Sequence, residues 1–284
     1  MMKKLVALLL IVLTILPAGC QQRTVALPSP PPPVQPPLLL FARELEPEAP
    51  PEPEPPEEIP QPEPEPALPR VMVALTFDDG PSPYTNQILD LLEQHDARAT
   101  FFVLGYRIQG GRNTLIRAAD MGSEVAGHSW NHARLANLSD ADIAEQILST
   151  SRAIELVTGT RVNIYRPPFG QTNERVRRVS AELGYAIINW TVDPLDWRYR
   201  DADVLYEHIK NYVSDGDIIL LHDIYASTVG AVERAIPWLI AQGYELVTVS
   251  ELLAYRYGEI EPGRIYGNPF DLDNGNGNPN NNGG

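Results

Sequence analysis

The sequence predicts an α/β fold in which a parallel sheet is covered by helices. Two observations predict it. Between Val71 and about Tyr257, short apolar runs alternate with stretches whose apolar residues recur every three or four positions. Polar clusters then follow one run after another at the C-terminal end, the edge where parallel α/β folds build their sites. In chain order the strands are expected at Val71–Phe77, Thr100–Leu104, Glu124–Ala126, Asn163–Tyr165, Ala186–Thr191, Asp217–Leu221 and Glu245–Val249. Among the helices between them, Tyr84–Gln94 carries the helical period, and Asp140–Val157 does so most clearly, with Ser139 placed to cap it. A barrel or near-barrel fits this alternation, and so does a doubly wound open sheet.

The chain before Val71 has a different character. Met1–Lys4 is short and positive, and Leu5–Leu16 is an apolar run too short to span a bilayer comfortably but long enough for the core of a signal peptide. The chain's single cysteine, Cys20, closes the stretch Leu16–Cys20, LPAGC, so no intrachain disulfide can form. This stretch resembles the lipobox of bacterial lipoproteins, with Pro17 as a departure at the position three before the cysteine. The resemblance implies a lipid at Cys20 and an extracytoplasmic, membrane-anchored protein; secretion after ordinary cleavage is the alternative.

Residues 21–70 read as a linker. Eighteen of the chain's 28 prolines lie between Pro28 and Pro69, alternating with glutamate over much of it. Proline fixes φ and removes a donor, and the glutamates repel, so an extended spacer is expected, reaching at most roughly 130 Å at about 3.1 Å per residue. The domain proper is placed at 71–257. An Asn/Gly-rich tail, 258–284, is expected to be disordered. Its DLDNGNG stretch, Asp271–Gly277, lacks the spacing and closing glutamate of a calcium loop.

The formal charge is −15, and residues 21–69 contribute strongly to it with nine glutamates against two arginines. A chain this acidic, without a basic stripe, is not built for nucleic acid.

The chemistry gathers after the strands. LTFDDGPSP, Leu75–Pro83, sets two carboxylates side by side where a turn needs one. HSWNH (His128–His132), RPPFG (Arg166–Gly170), DPLDW (Asp193–Trp197) and LLHD (Leu220–Asp223) follow later strands. HxxxH is read as two imidazoles on one side of a helical turn, spaced for one metal ion. Two histidines and one aspartate make a three-ligand site with a position left for water, the arrangement of catalytic zinc. The neighbouring aspartate then stays free as a base.

Taken in order, TFDDG, HxxxH, RPPFG, DxxDW and LLH resemble the five motifs of the polysaccharide deacetylase family, the NodB-homology domain of carbohydrate esterase family four. The likeness spans roughly Val71 to Val249. It implies a distorted (β/α) barrel of about seven parallel strands and removal of acetyl groups from acetylated sugars. Carried over, it implies Asp79, His128 and His132 as ligands of one divalent metal, Zn2+ by preference, and Asp78 as general base. His222 becomes the general acid, Arg166 holds Asp78, and Asp193 tunes His222. The backbone N–H of Phe169 (where the family often has Tyr) would meet the oxyanion, and Trp197 and Leu220 would wall the groove around the acetyl group.

The expected substrate is the N-acetylglucosamine of peptidoglycan, with chitin oligomers or acetylated xylan as alternatives. A glycosidase needs its carboxylates on either side of a bond, not adjacent on one strand end. A metal-free glycan-binding relic would be expected to lack a ligand or the base, and none is missing here. His95 and His208 are expected at the surface, Trp190 and Trp238 in the core, and Trp130 beneath the metal histidines. Asp196 and Asp223 are expected as supporting or turn residues.

Overall fold

The computed structural model describes residues 69–161 and 163–267. The leader with Cys20, the Pro/Glu spacer as far as residue 68 and the stretch 268–284 lie outside the described residues. The elements run β1 (Met72–Asp78), α1 (Thr85–Gln94), β2 (Thr100–Val103), α2 (Arg112–Asp120), β3 (Glu124–Gly127) and α3 (Asp140–Thr158). They continue β4 (Ile164–Tyr165), α4 (Glu174–Leu183), β5 (Ala186–Ile188), α5 (Asp196–Tyr199), α6 (Ala202–Tyr212) and β6 (Ile218–His222). The last are α7 (Ala226–Ala241), β7 (Glu245–Leu246), α8 (Val249–Tyr257) and β8 (Ile265–Tyr266).

All strand pairings are parallel. The sheet runs β6-β1-β2-β3-β4-β5-β8, with β7 beside β1. Beyond β5 the chain turns back: Thr191 N–H donates to Ile218 O at 2.9 Å, and Val192 bridges to Ile219 of β6. That bridge curls the sheet into a distorted (β/α) barrel and excludes the doubly wound alternative.

Strand pleating sorts the core into an outside and an inside. On β1, Val73, Leu75 and Phe77 join Leu89 and Leu92 of α1 and Ile236 and Leu239 of α7 in the layer between sheet and helices. The alternate residues Met72 and Ala74 join Phe102, Ala126, Ile164, Ile188 and Ile218 in the interior, with Val249, Leu252 and Leu253 of α8 packed against them. Glu124 shows how α8 is seated. It is buried, accepts from Thr100 Oγ1 at 2.9 Å and from Ser250 N–H at 3.2 Å, and so caps the start of α8. Burial raises its pKa, opposed by these bonds.

Several spans differ from expectation for local reasons. Ser139 does cap α3, accepting from Asp142 N–H. The run expected to reach Val249 stops at Leu246, because Thr248 and Glu251 form a capping box and start α8. The run expected to reach Thr191 stops at Ile188, where the chain leaves to bridge β6. The tail expected from residue 258 is folded as far as Gly267. Ile265 and Tyr266 form β8, and Asn189 N–H donates to Tyr266 O at 2.7 Å. Only two residues long, β8 offers no periodicity to read. Among the described residues no helix is long and apolar enough to cross a membrane.

Candidate active site

The pleat that fills the interior also builds the site. Asp78 is the last residue of β1, two beyond Thr76 and four beyond Ala74, so it points inward. In the parallel register its partner on β6 is His222, and its partner on β2 is Phe102. His128 lies two residues beyond inward Ala126, and Arg166 two beyond inward Ile164. Asp78, His128, Arg166 and His222 thus occupy the top of one inward-facing layer.

Arg166 is fully buried and ties this layer together. Its guanidinium donates to Asp78 Oδ1 at 2.7 Å, Thr76 Oγ1 at 2.8 Å, Asn189 O at 2.9 Å and Ile188 O at 3.3 Å, and it lies over the Phe102 ring. Asp78 is itself buried. Burial raises its pKa, and the charge and hydrogen bond of Arg166 pull the other way. The guanidinium also orients one carboxylate oxygen, leaving Oδ2 facing His128 Nε2 at 3.7 Å.

Asp79 leaves the strand with φ 71°, which aims its carboxylate away from that of Asp78 and toward the histidines. Its Oδ1 lies 3.4 Å from His132 Nε2 and 3.7 Å from His128 Nε2. The donor atoms of Asp79, His128 and His132 all fall within 4.8 Å of one another. Asp79 Oδ1 is buried and has no hydrogen-bond partner among the described residues. A buried carboxylate oxygen left unpaired beside two imidazoles is what a cation would satisfy. The remaining ring contact fits: His128 Nδ1 lies 2.9 Å from Arg166 O, so Nδ1 carries the proton and Nε2 presents a lone pair to Asp79. Burial pushes the His128 pKa down to about 3, outweighing the charge of Asp79, and keeps the ring neutral, as a ligand must be. The residues present therefore fit one divalent ion.

The two histidines are not on a helical turn. Residues 128–132 form a loop in which Ser129 (φ 66°) and His132 (φ 62°) are left-handed. Those two reversals bring the rings to 5.2 Å between centroids, a convergence the spacing suggested for the wrong backbone reason. Phe169 (φ 64°) and Leu195 (φ 60°), in the loops that carry RPPFG and DPLDW, are left-handed too. Non-glycine residues in this region gather where function constrains the chain.

On the other side, His222 is held by Asp196, not Asp193. Asp196 is fully buried. Its Oδ1 lies 2.7 Å from His222 Nδ1, and its Oδ2 accepts from His222 N–H and from Thr228 Oγ1, each at 2.7 Å. Asp193 instead accepts from Leu195 N–H at 2.8 Å, shaping the turn that delivers Asp196. DxxD offers two carboxylates, and only the turn decides which one reaches the imidazole. Burial alone would lower the His222 pKa. The hydrogen bond and charge of Asp196, with the charges of Asp78 and Asp79, prevail and push it up to about 9.

The other expected residues are placed as follows. Leu220 is buried on β6, while Trp197 and Phe169 are about half exposed on the rim. Trp130 is also partly exposed; it sits against Gly105, where a Cβ would meet its ring. Trp190 and Trp238 are partly buried against the two core clusters. His95 is exposed and His208 half-buried. Asp223 is fully buried beside Thr85 and Gly80, and burial pushes its pKa up to about 7.

Residues 66–188 match the family model described as Polysaccharide deacetylase. The peptidoglycan-N-acetylmuramic acid deacetylase PdaC of Bacillus subtilis is 44% identical over 182 residues, covering 64% of this chain and 38% of that protein. A peptidoglycan-N-acetylglucosamine deacetylase of Bacillus cereus is 38% identical over 192 residues, covering 66% of this chain and 90% of that one. The solved structure of B. subtilis PdaC superposes with a TM-score of 0.63 at 42% identity, covering 66% of this chain and 92% of that one. The chain thus spans well under half the length of the first of these relatives, and nearly all of the second.

Proposed function

We propose, for a chain that belongs to the polysaccharide deacetylase family, that it hydrolyses the acetamido group of N-acetylglucosamine in peptidoglycan. The observation that carries this reading is the register pairing of Asp78 with His222 beside the Asp79–His128–His132 cluster. A base, an acid and a cation site so arranged would lie within reach of one amide. The named relatives are peptidoglycan deacetylases, which supports the polymer.

Asp79, His128 and His132 would hold one divalent cation, zinc by preference for an N,N,O donor set, and it would supply Lewis acidity toward a water and the acetyl carbonyl. Asp78 takes the water's proton through Oδ2, the oxygen not engaged by Arg166. The backbone N–H of Phe169 donates to the oxygen on which negative charge develops. His222, protonated at neutral pH, gives its proton to the amide nitrogen as the C–N bond breaks, releasing acetate and a free amine. Asp196 holds His222 Nδ1–H, so the transferred proton leaves from Nε2. Trp197 and Leu220 wall the acetyl group. No ligand or base is missing, which weighs against an inert relic.

The test is acetate release from a panel of peptidoglycan, chitooligomers and acetylated xylan. Free amines appearing on peptidoglycan are the expected result; deacetylation of chitooligomers or xylan alone would overturn the polymer.

In the same reading the chain works outside the cytoplasm, held by a lipid at Cys20 and set off the membrane by the Pro/Glu spacer. A Cys20→Ala variant should then leave the membrane fraction. If it stays there, the lipid anchor is wrong.

A further inference from the structure

Two matching stacks flank the site. On the metal side the Phe169 ring meets His132 edge-on at 4.6 Å between centroids, and the Arg134 guanidinium lies 3.9 Å over Phe169. On the acid side the Tyr225 ring lies 5.9 Å from His222, and the Arg200 guanidinium covers Tyr225 at 3.2 Å. Each functional imidazole is thus backed by an aromatic ring that carries an arginine at the rim. Both arginines are exposed. Elsewhere on this acidic chain Arg98, Arg117 and Arg256 each pair with a carboxylate. Arg134 and Arg200 have no carboxylate partner among the described residues.

Both are nevertheless held in place. Arg134 donates to Gln171 Oε1 at 2.9 Å, and Arg200 donates through Nε to Trp197 O at 2.9 Å. Stacking occupies the face of a guanidinium, and these bonds use only Nη1 of Arg134 and Nε of Arg200, so each keeps two N–H groups side by side that match a carboxylate in bidentate fashion. Holding the side chains in advance reduces the ordering that binding must impose.

We propose that Arg134 and Arg200 are carboxylate-binding subsites on either side of the acetylated sugar. They would select a glycan whose neighbouring sugars bear acids over a neutral one. This rests on the reading of the site as a polysaccharide deacetylase and names its substrate more narrowly. In a wall glycan the acid is either the lactyl carboxylate of muramic acid or a carboxylate of the stem peptide attached to it. Chitin offers neither.

The experiment is binding to the full-chain holoenzyme, read by tryptophan fluorescence in stopped flow, ahead of turnover. Three probes are compared: glycan strands stripped of stem peptides, the same strands with their carboxyls reduced to alcohols, and strands that keep their stems. The stripped strands should bind about tenfold more tightly than the reduced ones, as two partly exposed ion pairs would give. The preference should shrink as salt rises. It should vanish in Arg134→Gln/Arg200→Gln and survive in part in Arg134→Lys/Arg200→Lys, which keep the charge. If only the stem-bearing strands bind tightly, and the Gln pair loses that preference, the stem is the source of the acid. Equal binding of all three probes, or a preference untouched in the Gln pair, overturns the proposal. Acetate release measured on the same samples tests the deacetylase reading separately, because binding preference does not depend on turnover.

Discussion

Asp78→Asn is expected to cut kcat about a thousandfold or more while leaving one equivalent of metal bound. Positioned general bases contribute about 10²–10⁴ in rate, and a thousandfold loss is about 4 kcal/mol of barrier. The asparagine amide oxygen can still accept from Arg166 but cannot take the water's proton. Asp79→Asn should behave differently. It removes the anionic donor whose Oδ1 has no other partner, so metal content should fall along with activity, as it should in the His128→Ala/His132→Ala pair. Elemental analysis beside steady-state rates separates the two aspartates. Equal metal loss in both variants would make Asp78 a ligand and send the search for the base elsewhere.

Asp196→Asn is expected to lower kcat/KM at pH 8 by ten- to a hundredfold and to move the alkaline limb of its pH profile downward. The acid must be protonated, so activity is present below the His222 pKa and lost as pH rises through it, near 9 in the intact site. Removing the Asp196 hydrogen bond and charge leaves burial, which favours the neutral ring, opposed only by the charges of Asp78 and Asp79, so the limb should fall toward the ordinary histidine value of about 6.5. A bound cation pulls the limb down in both proteins, and the difference between them is the readout. An unshifted limb would mean that Asp196 merely shapes the backbone around His222. Asp193→Asn, which touches a turn N–H and not the imidazole, should shift the limb less.

The architecture was legible because its signal is periodic. β1, β2, β3 and β6 fall within a residue or two of their expected spans, and the same two-residue period that buries Ala74 and Ala126 carries Asp78 and His128 inward. Where the sequence misled, the structure turns on single backbone dihedrals or on very short pairings. Nothing in HSWNH announces that Ser129 and His132 are left-handed, and the helical spacing of the histidines invites the wrong backbone. Nothing in DPLDW says which aspartate survives the turn facing His222, since Leu195 reverses the chain between them. β8 was out of reach because two residues held by neighbours leave no pattern.

The register that pairs Asp78 with His222 divides the protein into parts free to change and parts that are not. The acid and base proposed here belong to adjacent strands of one ladder, so their separation follows the interstrand spacing of about 4.8 Å, and no closing movement is required to bring them together. The arginine stacks lie instead on loops and on the short segment after α5. Loop exchange with a relative should therefore transplant substrate preference while the proton-transfer pair stays aligned. A change in the β1–β6 ladder would silence the enzyme on every glycan alike.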